Sequence, residues 1–131
     1  MITILIDHDI EGYGVLLWGT LATTGWLDLV SMRLVRFADL GLAPNSTDRD
    51  VWHFAQEHEM YLLTNNRNMD DIDSLEQTLR DSNMQSSLPV ITIGRIERMT
   101  ESTYRELCAL RLLEIVLYPT KSYGVGRLFI P

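Results

Sequence analysis

Runs of apolar residues along the chain predict the strands of a sheet. Residues 2–7 read Ile-Thr-Ile-Leu-Ile-Asp, a nearly continuous apolar and β-branched run that is typical of a strand buried on both faces of a parallel sheet. Shorter runs at residues 32–37 and 60–64 predict two further strands, and a fourth is predicted at residues 90–93 before Gly94. The pattern therefore indicates four strands separated by longer segments.

The segments between these runs have the apolar spacing of helices. The first covers residues 11–24, where large apolar side chains recur three and four positions apart and Gly25 follows as a residue suited to a helix end. A second begins after Ser46 or Thr47, either of which can cap it, and ends near Glu59. The two remaining helices are predicted at residues 71–81 and 101–117.

Strands that alternate with long helices predict an α/β fold. Right-handed crossovers leave few arrangements other than a three-layer sandwich, in which helices cover both faces of a mainly parallel central sheet. The chain has 131 residues, of which 46% are hydrophobic and 22% charged, so we interpret residues 1–131 as a single domain. In such sheets the functional crevice lies beyond the carboxyl ends of the strands.

Composition and charge narrow the classes of function. The net charge of −7 repels nucleic acid backbones, so a nucleic acid substrate would require a local basic rim or bound divalent cations. The longest uncharged stretch, residues 12–27, is short and interrupted by glycines, which argues against a membrane-spanning segment. The single cysteine, Cys108, and the absence of a visible export signal predict a cytoplasmic protein.

Carboxylates from distant parts of the chain are expected to converge at the strand ends. Asp7 and Asp9 follow the first predicted strand, and Asp48 opens the helix after the second. Such carboxylates can bind Mg²⁺ or Mn²⁺, which polarises a phosphodiester and lowers the pKa of an attacking water. The residue types alone leave a structural alternative open, because aspartates also form turns and cap helices.

Several short segments before residue 70 form a set. They are Ile4-Leu5-Ile6-Asp7-His8-Asp9, Gly41-Leu42, Thr47-Asp48, Phe54-Ala55 and Leu62-Leu63-Thr64-Asn65-Asn66-Arg67-Asn68. This set resembles the PIN-like domain family, in particular its branch related to toxin-type ribonucleases. The resemblance implies a parallel sheet flanked by helices, an acidic Mg²⁺ or Mn²⁺ site and cleavage of single-stranded RNA. It also implies a homodimer and an antitoxin-type protein partner.

The resemblance also implies roles for individual residues. Asp7 matches the family's aspartate at the end of the first strand, and Asp48 matches the aspartate of the second motif, so both are expected to be catalytic and to bind metal. Asp9 is a further candidate metal ligand. In the third motif two acids are replaced by Asn66 and Asn68, whose amide oxygens can still ligate a hard cation. Asn66 is expected to share the catalytic role.

Substrate contacts are predicted beside the same motif, at Thr64 and Arg67. Arg67 follows the third predicted strand, and Arg95 and Arg98 follow the fourth. The guanidinium groups of these arginines could contact phosphate. The alternative is that these arginines are solvated loop charges.

Two hypotheses for the function follow. The first is a metal-dependent ribonuclease of the PIN-like type that hydrolyses phosphodiester bonds of single-stranded RNA. The alternative is a catalytically degenerate PIN-like fold that serves as a binding or dimerisation module, because Asn66 and Asn68 remove two negative charges from the third motif.

Overall fold

Five strands form a single, wholly parallel sheet. The structure is a computed structural model that describes residues 1–66 and 73–131. The strands are β1 (Ile2–Ile6), β2 (Met32–Val35), β3 (Tyr61–Thr64), β4 (Val90–Ile93) and β5 (Arg127–Ile130). Their order across the sheet is β2-β1-β3-β4-β5, and every pair of neighbours is parallel.

Helices cover both faces of this sheet. They are α1 (Glu11–Thr23), α2 (Trp26–Leu29), α3 (Phe37–Leu40), α4 (Asp48–Glu57), α5 (Leu75–Ser82) and α6 (Ser102–Leu117). Short 3₁₀ helices lie at His8–Ile10, Ile96–Thr100 and Pro119–Lys121. In the described part of the chain, no helix combines the length and the apolar character needed to cross a membrane.

The two faces have separate hydrophobic cores. Ile4, Ile6 and Leu63 pack with α1, α2 and α6 on one face, whereas Leu5 and Leu62 pack with α3, α4 and α5 on the other. Successive side chains of a strand point to opposite faces, so the continuous apolar runs of the sequence supply both cores. The predicted α/β three-layer architecture is therefore confirmed.

Two predicted boundaries were wrong because polar side chains cap helices there. The second strand ends at Val35 rather than at residue 37, since Phe37 already begins α3 and the Arg36 amide donates to the Asp39 carboxylate over 2.9 Å. The helix expected at residues 71–81 begins at Leu75, after the cap residue Ser74. Residues 71 and 72 lie outside the described residues.

Strand β5 is an element that the sequence pattern did not predict. It pairs in parallel with β4, with Arg127 opposite Val90 and Ile130 opposite Ile93. Its apolar run, Leu128-Phe129-Ile130, has three residues and Phe129 is 44% exposed, so the strand lacks the longer buried run that marks β1. The sheet is one strand wider than expected.

The order of the strands places a crevice between β1 and β3. From β1 the chain moves to one side to form β2, and it then crosses over to form β3 on the other side. The segments that leave the carboxyl ends of β1 and β3 therefore diverge, which opens a crevice at this edge of a parallel sheet. Asp7 directly follows β1 there, and its amide donates to Leu63 O over 2.9 Å.

Candidate functional site

A polar pocket of about 430 Å³ occupies the crevice between β1 and β3. Its walls come from the turn after β1, the beginning of α4 and the end of β3. The polar lining residues are Asp7, Asp9, Ser46, Asp48, Thr64, Asn65 and Asn66. Phe37, Val51, Leu62 and Leu75 contribute apolar surface. The structure thus brings Asp7, Asp9, Asp48, Thr64 and Asn66 together at one place, as the sequence predicted.

Asp7 is held at this pocket by hydrogen bonds to both of its carboxylate oxygens. Thr64 Oγ1 donates to Oδ2 over 2.6 Å, and the Asp9 amide makes a longer contact of 3.5 Å with Oδ1. Burial raises the pKa of the Asp7 carboxyl, and the charges of Asp9 and Asp48 act in the same direction against the lowering effect of the Thr64 hydrogen bond. The folded protein therefore disfavours the ionised form of Asp7.

Asp48 is held through a single oxygen. It is the first residue of α4, after the cap residue Thr47. Its Oδ2 accepts hydrogen bonds from Asn66 Nδ2 over 2.8 Å and from the Leu75 amide over 3.1 Å. Its Oδ1 accepts no hydrogen bond from residues 1–66 and 73–131. As far as the described residues are concerned, Oδ1 is thus the oxygen of Asp48 left for a ligand.

Thr64 and Asn66 connect the two carboxylates. Thr64 is fully buried. Its hydroxyl donates to Asp7, and the hydroxyl oxygen accepts a hydrogen bond from the backbone amide of Asn66 over 3.0 Å. Thr64 orients Asp7, and Asn66 orients Asp48, so both carboxylates are positioned by neutral groups at the end of β3. The substrate contact predicted for Thr64 stays a prediction, because the structure shows its hydroxyl engaged within the protein.

The remaining predicted site residues are Asp9, Asn68 and Arg67. Asp9 is exposed at the rim of the pocket, and only its backbone amide contacts Asp7. Asn68 and Arg67 lie outside the described residues. Among the described residues, no group of three or more acidic, histidine or cysteine side chains is placed to hold a metal ion. Among the described residues that line the pocket, Asp7, Asp9 and Asp48 carry carboxylate oxygens and Asn66 carries an amide oxygen.

The charge around the pocket is negative. Of the described residues that line it, Asp7, Asp9 and Asp48 are acidic and none is basic. Two of the three arginines expected to contact phosphate are in ion pairs, Arg95 with Glu97 at 2.7 Å and Arg98 with Glu101 at 3.1 Å, and the third, Arg67, lies outside the described residues. An anionic substrate would thus meet an acidic pocket unless a cation were bound there.

Sequence reasoning missed Arg127, which reaches the site from β5. Its Nη1 donates to Asn66 O over 2.8 Å and also to Thr92 Oγ1, and its Nη2 forms an ion pair with Glu76. Nothing in the sequence marks this arginine, since its strand was not predicted and arginine is usually a surface residue.

Comparisons of the chain with protein-family models, with curated proteins and with solved structures find no match. The function proposed for this site therefore rests on its own residues and on the resemblance carried by the short motifs.

Proposed function

We propose that the protein binds a divalent cation, Mg²⁺ or Mn²⁺, at Asp7 and Asp48 and hydrolyses phosphodiester bonds of single-stranded RNA. One observation carries the proposal. Two carboxylates from different elements are held at one pocket by neutral donors, and no basic side chain lines that pocket among the described residues. Carboxylates in this position repel each other, and a divalent cation between them removes that repulsion.

The available oxygen atoms fit such a cation. The Oδ2 atoms of Asp7 and Asp48 accept short hydrogen bonds. The Oδ1 atom of Asp7 makes only the 3.5 Å contact with the Asp9 amide among the described residues, and the Oδ1 atom of Asp48 accepts no hydrogen bond from them. Mg²⁺ is commonly bound through one or two carboxylates and keeps several waters. The carboxylate of Asp9, which also lines the pocket, is a further oxygen donor, and Asn66 stays a predicted ligand through its amide oxygen.

The same arrangement supports phosphodiester hydrolysis. A bound divalent cation lowers the pKa of water and polarises a phosphoryl oxygen. Asp7 and Asp48 would hold that cation, and Thr64 and Asn66 would keep the two carboxylates in place. The preference for single-stranded RNA is inferred from the PIN-like resemblance, and the contact of Arg67 with phosphate belongs to this proposal as well.

A second candidate is the degenerate binding or dimerisation module. Asn66 Nδ2 donates to Asp48, a hydrogen bond that the acid of the family motif cannot donate when ionised. The outer face of α6 also exposes Leu107, Leu110 and Leu117, which are 55%, 53% and 44% exposed. We propose this leucine face as the contact of a homodimer; an antitoxin-type partner is the alternative occupant.

Thermal unfolding in the presence of Mn²⁺ tests the metal site. A ligand that binds only the folded state at a hundredfold excess over its dissociation constant stabilises it by about 2.7 kcal/mol. Asp7→Asn and Asp48→Asn should each abolish the shift. Asp50→Asn is the matched control, because Asp50 lies in the same first turn of α4 and does not line the pocket.

Cleavage of a fluorescent single-stranded RNA then separates the two candidates. Metal-dependent cleavage that is lost in Asp7→Asn and kept in Asp50→Asn supports the ribonuclease. Binding of Mn²⁺ without cleavage favours the module, and no stabilisation at millimolar Mn²⁺ would show that the metal-site proposal is wrong.

A further inference from the structure

A buried arginine on β5 connects the residues that hold Asp48. The side chain of Arg127 is only 9% exposed. Its guanidinium contacts three groups from three elements: the carbonyl of Asn66 after β3, the hydroxyl of Thr92 on β4 and the carboxylate of Glu76 in the first turn of α5. Burying a guanidinium costs free energy unless its donors are well matched.

Both donors to Asp48 are linked to this guanidinium. Asp48 Oδ2 accepts from Asn66 Nδ2 and from the Leu75 amide. Arg127 binds the carbonyl of Asn66 directly, and it binds the side chain of Glu76, the residue that follows Leu75. One side chain therefore fixes the end of β3 and the beginning of α5, which are the two places from which Asp48 is held.

We propose that Arg127 is a positioning residue of the metal site, an inference that rests on the proposed function. It sets the orientation of Asp48 through Asn66 and through the first turn of α5, without touching the metal or the substrate. If Arg127 served only to neutralise Glu76, it would not need to contact Asn66. Its hydrogen bond to the carbonyl of Asn66 therefore distinguishes a positioning role from simple charge pairing.

The chemistry of arginine suits this role. Its planar guanidinium presents several donors in a fixed geometry, whereas the ammonium of lysine is a point charge that cannot match the same set of acceptors. Nη1 donates to Asn66 and Thr92, and Nη2 donates to Glu76. Nε has no hydrogen-bond partner among the described residues. Groups that orient metal ligands commonly change metal affinity by about 10–100-fold when they are replaced.

Two variants test the proposal. Arg127→Lys keeps a positive charge opposite Glu76 but loses the planar guanidinium, whose Nη1 and Nη2 atoms donate to several acceptors at once. The double variant Arg127→Met with Glu76→Met removes both charges together, so it leaves no unpaired buried charge to unfold the protein. The control is Arg105→Lys, since Arg105 is also partly buried and binds Met99 O and Thr20 Oγ1 on the opposite face of the sheet.

Each variant is measured in two ways at a temperature where it is folded. Calorimetric titration gives the dissociation constant for Mn²⁺, which we expect to rise about tenfold or more in both Arg127 variants and to stay unchanged in Arg105→Lys. NMR of the metal-free protein follows the Asn66 side-chain amide and the Leu75 backbone amide. Both signals should shift in the Arg127 variants and remain in place in the control.

The two readouts separate this inference from the proposed function. If the wild type binds no Mn²⁺, the metal-site proposal fails, and the amide signals still decide whether Arg127 orients Asp48. If either folded Arg127 variant keeps the wild-type amide signals, or keeps the wild-type Mn²⁺ affinity where the wild type binds, Arg127 is merely a structural residue and the inference is overturned.

Discussion

At the scale of single residues, Asp7 is a carboxylate that the metal-free fold disfavours in its ionised form. Because burial raises its pKa in the folded state, the stability of the folded state falls as pH rises from the ordinary carboxyl pKa through the raised one. Asparagine cannot ionise and can still accept the hydrogen bond from Thr64. Asp7→Asn should therefore stabilise the metal-free protein at neutral pH while it abolishes metal binding.

The measurement is the melting temperature of both proteins in a chelator, from about pH 3 to about pH 8. We expect the variant to gain a few degrees over the wild type at neutral pH and to lose this advantage below the ordinary carboxyl pKa. Parallel pH profiles for the two proteins would contradict the raised pKa of Asp7.

Asn66 is a residue at which a fourth carboxylate can be added to the pocket, beside Asp7, Asp9 and Asp48. Asn66→Asp removes the donor to Asp48 and replaces it with a repelling carboxylate, so the metal-free protein should lose about 1–3 kcal/mol of stability. Mn²⁺ should bind this variant more tightly and should restore more stability than in the wild type.

The control for this charge is Asn65→Asp. Asn65 also lines the pocket, but no hydrogen bond joins its side chain to Asp48. Urea unfolding with and without Mn²⁺ compares the two variants. Equal responses would show that general acidity of the pocket, and not the position of Asn66, governs the affinity for the cation.

At the scale of elements, helices and strands with strong apolar patterns were predictable, and short or edge elements were not. Helix α1 ends at Thr23, close to the predicted residue 24, and Gly25 has the positive φ of 85° expected at a helix end. Helices α2 and α3 have four residues each, which is too short for a helical period to show. Strand β5 has an apolar run of three residues, Leu128-Phe129-Ile130, which is shorter than that of β1.

The candidate site likewise has a part that could be predicted from the sequence and a part that could not. Asp7, Asp48, Thr64 and Asn66 could be predicted to converge, because the carboxyl ends of parallel strands meet at one edge of the sheet. Their pairing could not be predicted, since it depends on side-chain geometry between elements distant in the chain. Arg127 could not be found for the same reason: its partners lie 35 to 61 residues away in sequence.

A residue with strained backbone lies two positions after the end of helix α4, which gives a prediction about stability. Glu59 has a φ of 56°, and it follows the helix where its amide donates to Gln56 O over 3.1 Å. A non-glycine residue in this left-handed region costs roughly 1–2 kcal/mol, of which the greater freedom of glycine in the unfolded chain offsets a part. Glu59→Gly should therefore stabilise the protein by up to about 1 kcal/mol.

Urea unfolding measures this gain. The Mn²⁺ affinity should be unchanged in Glu59→Gly, because Asp48 lies at the opposite end of α4. A loss of stability would show that the Glu59 side chain makes a compensating contribution that outweighs the backbone strain.

At the scale of the whole molecule, the leucine face of α6 predicts self-association. A helix packed on a sheet normally presents polar side chains to solvent, whereas α6 exposes Leu107, Leu110 and Leu117. Light scattering should give the mass of a dimer for the wild type and of a monomer for Leu110→Glu. Met84→Glu is the control, since Met84 is 65% exposed and lies outside α6. A monomeric wild type would contradict the homodimer proposal.

The two cores of the sandwich are unequal in the described part of the chain. The core beneath α1 and α6 has more buried residues than the core beneath α4 and α5, which is the layer that carries Asp48 and Leu75. Segments with fewer buried contacts open at lower free energy, so backbone amides of α4 and α5 should exchange with deuterium faster than those of α1 and α6. Adding Mn²⁺ should slow this exchange most in α4 and α5. A cation bound to Asp48 would be lost when these helices open, so its binding opposes the opening of the layer that has fewer buried residues.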